Sequence, residues 1–186
     1  SRELAEQLTA VAAQLISFSD TEILLEKCIG GTDKKRQVAK LTQTQPHIVI
    51  GTPGRIFDLM QENALFVQTV QMMVVDEADM TFDLGFLETV DEIASRMPEN
   101  LQMSVFSATI PDKIKPFLKK YLGNPKIIQI ENTQLVSPTI KNQLLVTKAQ
   151  NPMDVLRQLL VMGHPYLVLI FVNTKQKADE VTKDLR

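Results

Sequence analysis

The run Met72-Met73-Val74-Val75-Asp76-Glu77-Ala78-Asp79 places three carboxylates directly after four apolar residues. Such a tetrad reads as a buried strand, and the carboxyl end of a strand is where open α/β sheets bind ligands. A carboxylate there can hold Mg²⁺, which takes one or two protein carboxylates and fills its other positions with water and substrate phosphate. A neighbouring carboxylate can orient an attacking water or accept its proton. The same four letters also read as an acidic loop that merely starts the next helix. Val105-Phe106-Ser107-Ala108-Thr109 ends a second apolar segment with two hydroxyls. Taken alone, Ser107 and Thr109 read first as caps or turn residues ahead of the helix after Pro111.

Two further turns are built for anions. Gly51-Thr52-Pro53-Gly54-Arg55 follows a short apolar segment and opens a helix, so backbone N–H groups, a hydroxyl and a guanidinium are expected to face outward at a helix N-terminus. Gly30-Gly31-Thr32 offers close backbone approach with no side chain in the way. Either one alone is also an ordinary strand-to-helix turn. Together with Arg2 at the start of the first helix, they would line up anion sites along a nucleic-acid backbone.

The elements that must position these residues follow from the apolar period, which alternates between 3.6 and 2. Helices are expected at 2–17, 33–42, 53–62, 85–96, 112–121, 152–162 and 175–186. Strands are expected at 22–29, 47–50, 72–75, 103–106, 126–130, 142–147 and 166–172. Alternating strands and helices imply parallel crossovers, hence an α/β sheet covered on both faces. The polar stretch 132–139, with Asn132, Thr133, Ser137 and Pro138, reads as a linker between a first domain (1–131) and the beginning of a second (140–186). Two strands and two helices make that second unit too small to stand alone comfortably.

At 186 residues and 44% hydrophobic content, the chain can bury one good core and part of another. Its longest apolar run, 166–172, is far short of a membrane span. Cys28 is the single cysteine, without metal-ligand spacing around it, and is expected as a buried strand residue in a reducing, cytoplasmic setting. A net charge of -2 argues against holding nucleic acid by bulk positive charge, so any such grip must be local. Basic clusters at Lys34, Lys35, Arg36 and Lys40, and at Lys113, Lys115, Lys119, Lys120 and Lys126, read as solvated helix faces.

The ordered set of motifs resembles the DEAD-box ATP-dependent RNA helicases. Ser1-Arg2-Glu3-Leu4-Ala5-Glu6-Gln7 is similar to the tail of that family's P-T-R-E-L-A-x-Q segment, Gly30-Gly31 to its double glycine, and Thr52 to Arg55 to its T-P-G-R. Asp76 to Asp79 matches the motif that names the family; Asp83-Leu84-Gly85-Phe86, Ser107-Ala108-Thr109 and Leu169-Ile170-Phe171-Val172-Asn173-Thr174 follow in its order. The resemblance implies two RecA-like lobes, with ATP between them and single-stranded RNA across both, gripped by its backbone without sequence specificity. Carried over, Asp76 would coordinate Mg²⁺ through water and Glu77 would be the catalytic base. Asp79 would pair with Ser107 and Thr109, coupling the nucleotide site to RNA. Arg2, Gly31, Thr52, Gly54 and Arg55 would contact RNA on the first lobe, and Asn173 and Thr174 on the second. The helix beginning near Arg55 would bend one strand, giving local unwinding.

The departures also carry information. The family's phosphate-binding loop needs G-x-x-x-x-G-K-[ST], and no glycine here precedes a lysine. The adenine-reading glutamine segment and the arginine-rich motifs of the second lobe are missing too. Both ends are therefore expected to be truncations of a larger helicase, and this piece alone is expected to be inactive as an ATPase. Two other readings stay open here. A Mg²⁺-dependent nuclease using Asp76, Glu77 and Asp79 would need more carboxylates converging on two metals. A non-enzymatic RNA-binding or scaffold piece would need none of this chemistry.

Overall fold

The computed structural model describes residues 1–130, 139–146 and 151–185. They divide into two compact units, Ser1–Ile128 and Gln129–Arg186. In the first, α1 (Arg2–Ile16) is capped by Ser1, whose Oγ accepts the Leu4 N–H at 3.1 Å. β1 (Leu25–Cys28) leads to α2 (Lys34–Gln43), whose cap is the Asp33 carboxylate. Next come β2 (Ile48–Gly51) and α3 (Pro53–Gln61), with proline in the first turn, where its missing N–H costs nothing. β3 (Met72–Val75), α4 (Ala78–Asp83), α5 (Leu87–Ser95), β4 (Gln102–Val105) and α6 (Lys115–Leu122) complete the unit.

The strands pair in parallel, β1 with β2 from Leu25↔Ile48 to Cys28↔Gly51, and β3 with β4 from Met72↔Gln102 to Val75↔Val105. Both pairs therefore deliver their loops at the carboxyl ends, where the candidate residues stand. One cluster, with Cys28, Leu41, Leu59, Leu65 and Ile93, packs under β1 and β2. A second, with Val75, Ala78, Phe82, Ile114 and Phe117, packs under β3 and β4. Met73 touches both. Phe82 and Phe117 meet edge to face at 5.4 Å, a favourable aromatic geometry that fixes α6 against α4.

Several expectations need correction. The strands form two separate two-stranded sheets, not one continuous sheet. Cover on both faces fails for β3: strand alternation turns Met73 and Val75 inward but leaves Met72 and Val74 exposed. The expected strands at 126–130 and 166–172 do not form, nor does the described part, 142–146, of the one at 142–147. Ile127, Ile128, Leu144, Leu167, Leu169 and Phe171 are all exposed there. β-Branched and apolar sequence marks a segment that fits a pleated surface, but a strand exists only when a neighbour takes its backbone groups, and none does so among the described residues. The helix expected at 112–121 begins instead as a 3₁₀ turn, Asp112–Ile114, before α6. Pro116 has no N–H for the Asp112 carbonyl, and the Lys115 N–H takes it in the tighter geometry. α4 was not expected, since six residues hold too little apolar period to read.

In the second unit, α7 (Pro152–Gly163) and α8 (Lys175–Asp184) are joined by Arg157, which pairs with Asp154 at 3.1 Å and Asp184 at 2.7 Å. Most of the linker expected at 132–139 lies outside the described residues. No helix among the described residues is long and apolar enough to cross a membrane.

Candidate functional site

β3 and β4 stay tied past their ends. The Phe106 N–H donates to the Val75 carbonyl at 2.8 Å and the Ala78 N–H to the Phe106 carbonyl at 3.0 Å. Between these bonds the chain turns sharply at Glu77, which has φ 47° and ψ 49°. A non-glycine residue in this left-handed region costs on the order of 1–3 kcal/mol, a strain that persists only where surrounding structure enforces it. The turn ends β3 and begins α4 with only Asp76 and Glu77 between them, leaving both exposed at the strand's carboxyl end. Asp76 Oδ1 accepts the Glu77 N–H at 2.9 Å, which fixes its carboxylate over the turn. This hard-oxygen donor set, solvent-facing and holding one or two carboxylates, fits a Mg²⁺ ion that keeps most of its waters. No group of three or more potential metal ligands occurs among the described residues.

In the first turn of α4, Asp79 reaches across to the loop after β4. Thr109 donates twice to Asp79 Oδ2, through its N–H at 2.9 Å and its Oγ1 at 2.8 Å. Ser107 Oγ accepts the Asp79 N–H at 3.1 Å and donates to the Thr109 carbonyl at 2.6 Å. The hydroxyl of Thr109, with further help from the Met80 and Thr109 N–H groups and Ser107, holds the Asp79 carboxyl below the ordinary aspartate range. Neither hydroxyl caps the helix that follows: the 3₁₀ turn and α6 start at Pro111 and Ile114 without a side-chain cap. The structure thus brings Asp79, Ser107 and Thr109 into one closed set, adjoining Asp76 and Glu77.

At the ends of β1 and β2 the two glycine turns lie side by side. Gly51 pairs with Cys28, and a Cβ on Gly51 would stand 2.2 Å from the Cys28 carbonyl oxygen. Gly31 has φ 90°, which favours glycine, and Arg2 Nη1 lies 3.4 Å from where its Cβ would be. The Phe86 ring approaches the corresponding point on Gly54 at 3.8 Å. Arg2, Gly31, Thr52 and Gly54 therefore belong to one edge of the first unit. Thr52 precedes α3 without capping it through its side chain.

Arg55 departs from expectation. Its guanidinium does not face outward but is 8% exposed, donating through Nη1 to Thr32 Oγ1 and Gln37 Oε1 at 2.9 Å each and through Nη2 to the Thr32 carbonyl at 3.1 Å. An arginine is buried where planar, well-aimed acceptors satisfy it, and the neighbouring turn supplies them. Behind it, Gln37 Nε2 donates to Glu26 Oε1 at 2.7 Å, and Lys40 pairs with the other Glu26 oxygen. Cys28 is fully buried beside this network; burial first, then the Glu26 charge, pushes its thiol up to about 12.

Sequence reasoning missed Gln37 and Glu26. The available signal was polarity on an apolar period: Glu26 lies two residues from Cys28 on the inner face of β1, and Gln37 four from Leu41 on the inner face of α2. Several members of the basic clusters are paired, Lys34 with Glu62, Lys113 with Asp83, Lys115 with Asp112 and Lys120 with Asp91. In the second unit, Asn173 is exposed and Thr174 caps α8, its Oγ1 accepting the Lys177 N–H at 3.1 Å.

A family model of the DEAD/DEAH box helicases matches residues 1–117, and the chain belongs to this family. It is 50% identical over 185 residues to the DEAD-box ATP-dependent RNA helicase CshB of Listeria monocytogenes, covering 100% of this chain and 42% of that protein. The CshB of Bacillus subtilis is 46% identical, again over 100% of this chain and 42% of the relative. The chain spans about two fifths of the length of these relatives. Among solved structures, a hypothetical ATP-dependent RNA helicase from Sulfolobus tokodaii matches with TM-score 0.60 and 28% identity over 68% of this chain and 37% of that one. S. cerevisiae Dbp5 bound to Gle1 and IP6 matches with TM-score 0.61 and 26% identity, over 100% of this chain and 45% of that one. The α/β, RecA-like class expected from the sequence holds.

Proposed function

We propose that the protein to which this chain belongs is an ATP-dependent RNA helicase that couples hydrolysis of Mg-ATP to local separation of RNA strands. The observation that carries this reading is the closed set formed by Asp79, Ser107 and Thr109 beside the exposed pair Asp76 and Glu77. It joins the acidic strand end to a second loop, so movement of either is felt by the other. Mg-ATP, when bound, supplies a phosphoanhydride bond and a cation that neutralises its charge. Asp76 would hold that cation through water, and Glu77 would align the attacking water and accept its proton.

Arg2, Gly31, Thr52 and Gly54 would take the phosphates and riboses of single-stranded RNA, with Arg55 fixing the turn that carries two of them. Asn173 and Thr174 would do the same from a second lobe beginning near residue 140, after a first lobe ending near residue 131. Contacts of this kind carry no base code, which supports binding without sequence specificity. Without a glycine-lysine pair to cradle nucleotide phosphates, residues 1–186 alone would not hydrolyse ATP. A cytoplasmic site of action suits the lone, unpaired cysteine. The test is RNA-stimulated ATPase and duplex unwinding by the longer protein: RNAs of unrelated sequence should stimulate it similarly. RNA cleavage without ATP, or turnover indifferent to RNA, would defeat the proposal.

A further inference from the structure

The two glycine turns are held together by a buried relay that starts in α2. Glu26 is 7% exposed, Gln37 9% and Arg55 8%, and no buried side-chain polar atom among the described residues lacks a partner. Burying a carboxylate and a guanidinium is costly unless each is met by hydrogen bonds. Gln37 lies between them. Its Oε1 accepts from Arg55 Nη1 at 2.9 Å, while its Nε2 donates to Glu26 Oε1 at 2.7 Å and to the Lys27 carbonyl at 2.8 Å. Only one orientation of the amide satisfies this arrangement, because the guanidinium can only donate and the ionised carboxylate can only accept. The side chain is thus a neutral adapter that turns a carboxylate's demand for a donor into an acceptor aimed at Arg55. Arg55 in turn grips both the hydroxyl and the carbonyl of Thr32. Thr32 belongs to the Gly30 turn and Arg55 to the Gly51 turn, so this grip sets the spacing between them.

We infer that Gln37 is a positioning residue for RNA binding: by orienting Arg55 it fixes the distance between the turn carrying Gly31 and the turn carrying Thr52 and Gly54. The inference rests on the helicase reading, in which those two turns face successive parts of an RNA backbone. An RNA backbone has a fixed repeat, and a tie that lets the turns drift spoils the match without touching the nucleotide corner. The effect should fall on RNA affinity and not on the chemical step.

The experiment uses the longer protein, with single-stranded polyuridylate as the probe, and compares wild type with Gln37→Met, Gln37→Glu and Thr32→Val. Gln37→Met keeps the shape and removes the bonds to Arg55, Glu26 and the Lys27 carbonyl. It should raise the RNA concentration giving half-maximal ATPase by roughly tenfold, the scale on which small misplacements of binding groups act, while turnover at saturating RNA and the KM for ATP stay near wild type. Gln37→Glu keeps the acceptor for Arg55 but sets a second carboxylate against Glu26. It should melt at a lower temperature than Gln37→Met yet hold its RNA half-saturation within about twofold of wild type. A merely structural role predicts the opposite order, with RNA binding following melting temperature. Thr32→Val removes the hydroxyl end of the tie together with its bond to the Ile29 carbonyl; with melting temperature measured alongside, it should weaken RNA binding in the same direction as Gln37→Met. A normal half-saturation in Thr32→Val, or a Gln37→Glu defect at least as large as that of Gln37→Met, overturns the inference. Wild-type ATPase that ignores polyuridylate would instead sink the helicase reading, and this inference with it.

Discussion

Replacing Gly51 with alanine tests the packing that brings the two glycine turns together. A Cβ there would stand 2.2 Å from the Cys28 oxygen, 2.7 Å from the Cys28 Cβ and 2.9 Å from its carbonyl carbon. None of these atoms is the tip of a flexible side chain, and Cys28 is itself fully buried in the first core. The clash can be relieved only by moving β2 away from β1. Overpacking of this kind costs about 1–3 kcal/mol. Separation also stretches the Thr52 N–H bond to the Cys28 carbonyl, now 2.9 Å, at about 1 kcal/mol. The sum, roughly 2–4 kcal/mol, is a large part of the 5–15 kcal/mol that stabilises a typical domain. At about 3 °C per kcal/mol for a protein of this size, the melting temperature should drop by about 6–12 °C. Gly30→Ala is the internal control: a Cβ there meets nothing within 4 Å and its φ is not positive. That substitution should be neutral or stabilise by about 0.4–1 kcal/mol through the unfolded chain. Circular dichroism melts of both variants check this, and equal melting temperatures for the two would refute the close approach on which the paired turns depend.

Three further outcomes follow from the acidic corner. Glu77→Gln in the longer protein should leave ATP and RNA bound while turnover falls by about 10²–10⁴, as expected when a general base loses its charge but keeps its shape; an unchanged single-turnover rate removes Glu77 from that role. Thr109→Val, which deletes the 2.8 Å bond to Asp79, should let hydrolysis continue while strand separation per ATP falls about fivefold or more; a parallel fall in both activities with a lowered melting temperature would return Thr109 to a structural role. Because its folded pKa is depressed, Asp79 stabilises this corner above the unfolded aspartate value and loses that contribution as pH falls through the folded one, so the corner should be insensitive to pH between 5 and 8. A carbon-detected NMR titration should find Asp79 below the ordinary aspartate range in the native chain and closer to it in Thr109→Val; an Asp79 titration indifferent to Thr109 would contradict the assigned pairing.

What the sequence made legible was local, and what it hid depended on partners far along the chain. Ser1 and Asp33 announce helix starts because a cap acts within three residues, and β2 and β3 are short apolar runs that end at glycine or just before aspartate. The segment 166–172 carries as strong an apolar run as any of them and forms no strand, since pairing is a property of the neighbour and not of the segment. The link between Asp79 and Thr109, 30 positions apart, could be expected only through the family resemblance. Arg55 opens a helix, where a guanidinium is expected to face outward beside free backbone N–H groups, and the acceptors that bury it lie 18 and 23 positions upstream. Yet three residues stand in conflict with the preferences of their local structure. Glu26 and Gln37 occupy positions where the strand and helix periods demand apolar residues, and Glu77 takes a left-handed conformation that its side chain does not favour. A chain selected only to fold would have settled each of these conflicts locally, with an apolar residue at the first two positions and glycine or asparagine at the third. In the structure each serves something other than its local element: Glu26 and Gln37 reach the glycine turns through Arg55, and Glu77 turns the chain between β3 and α4.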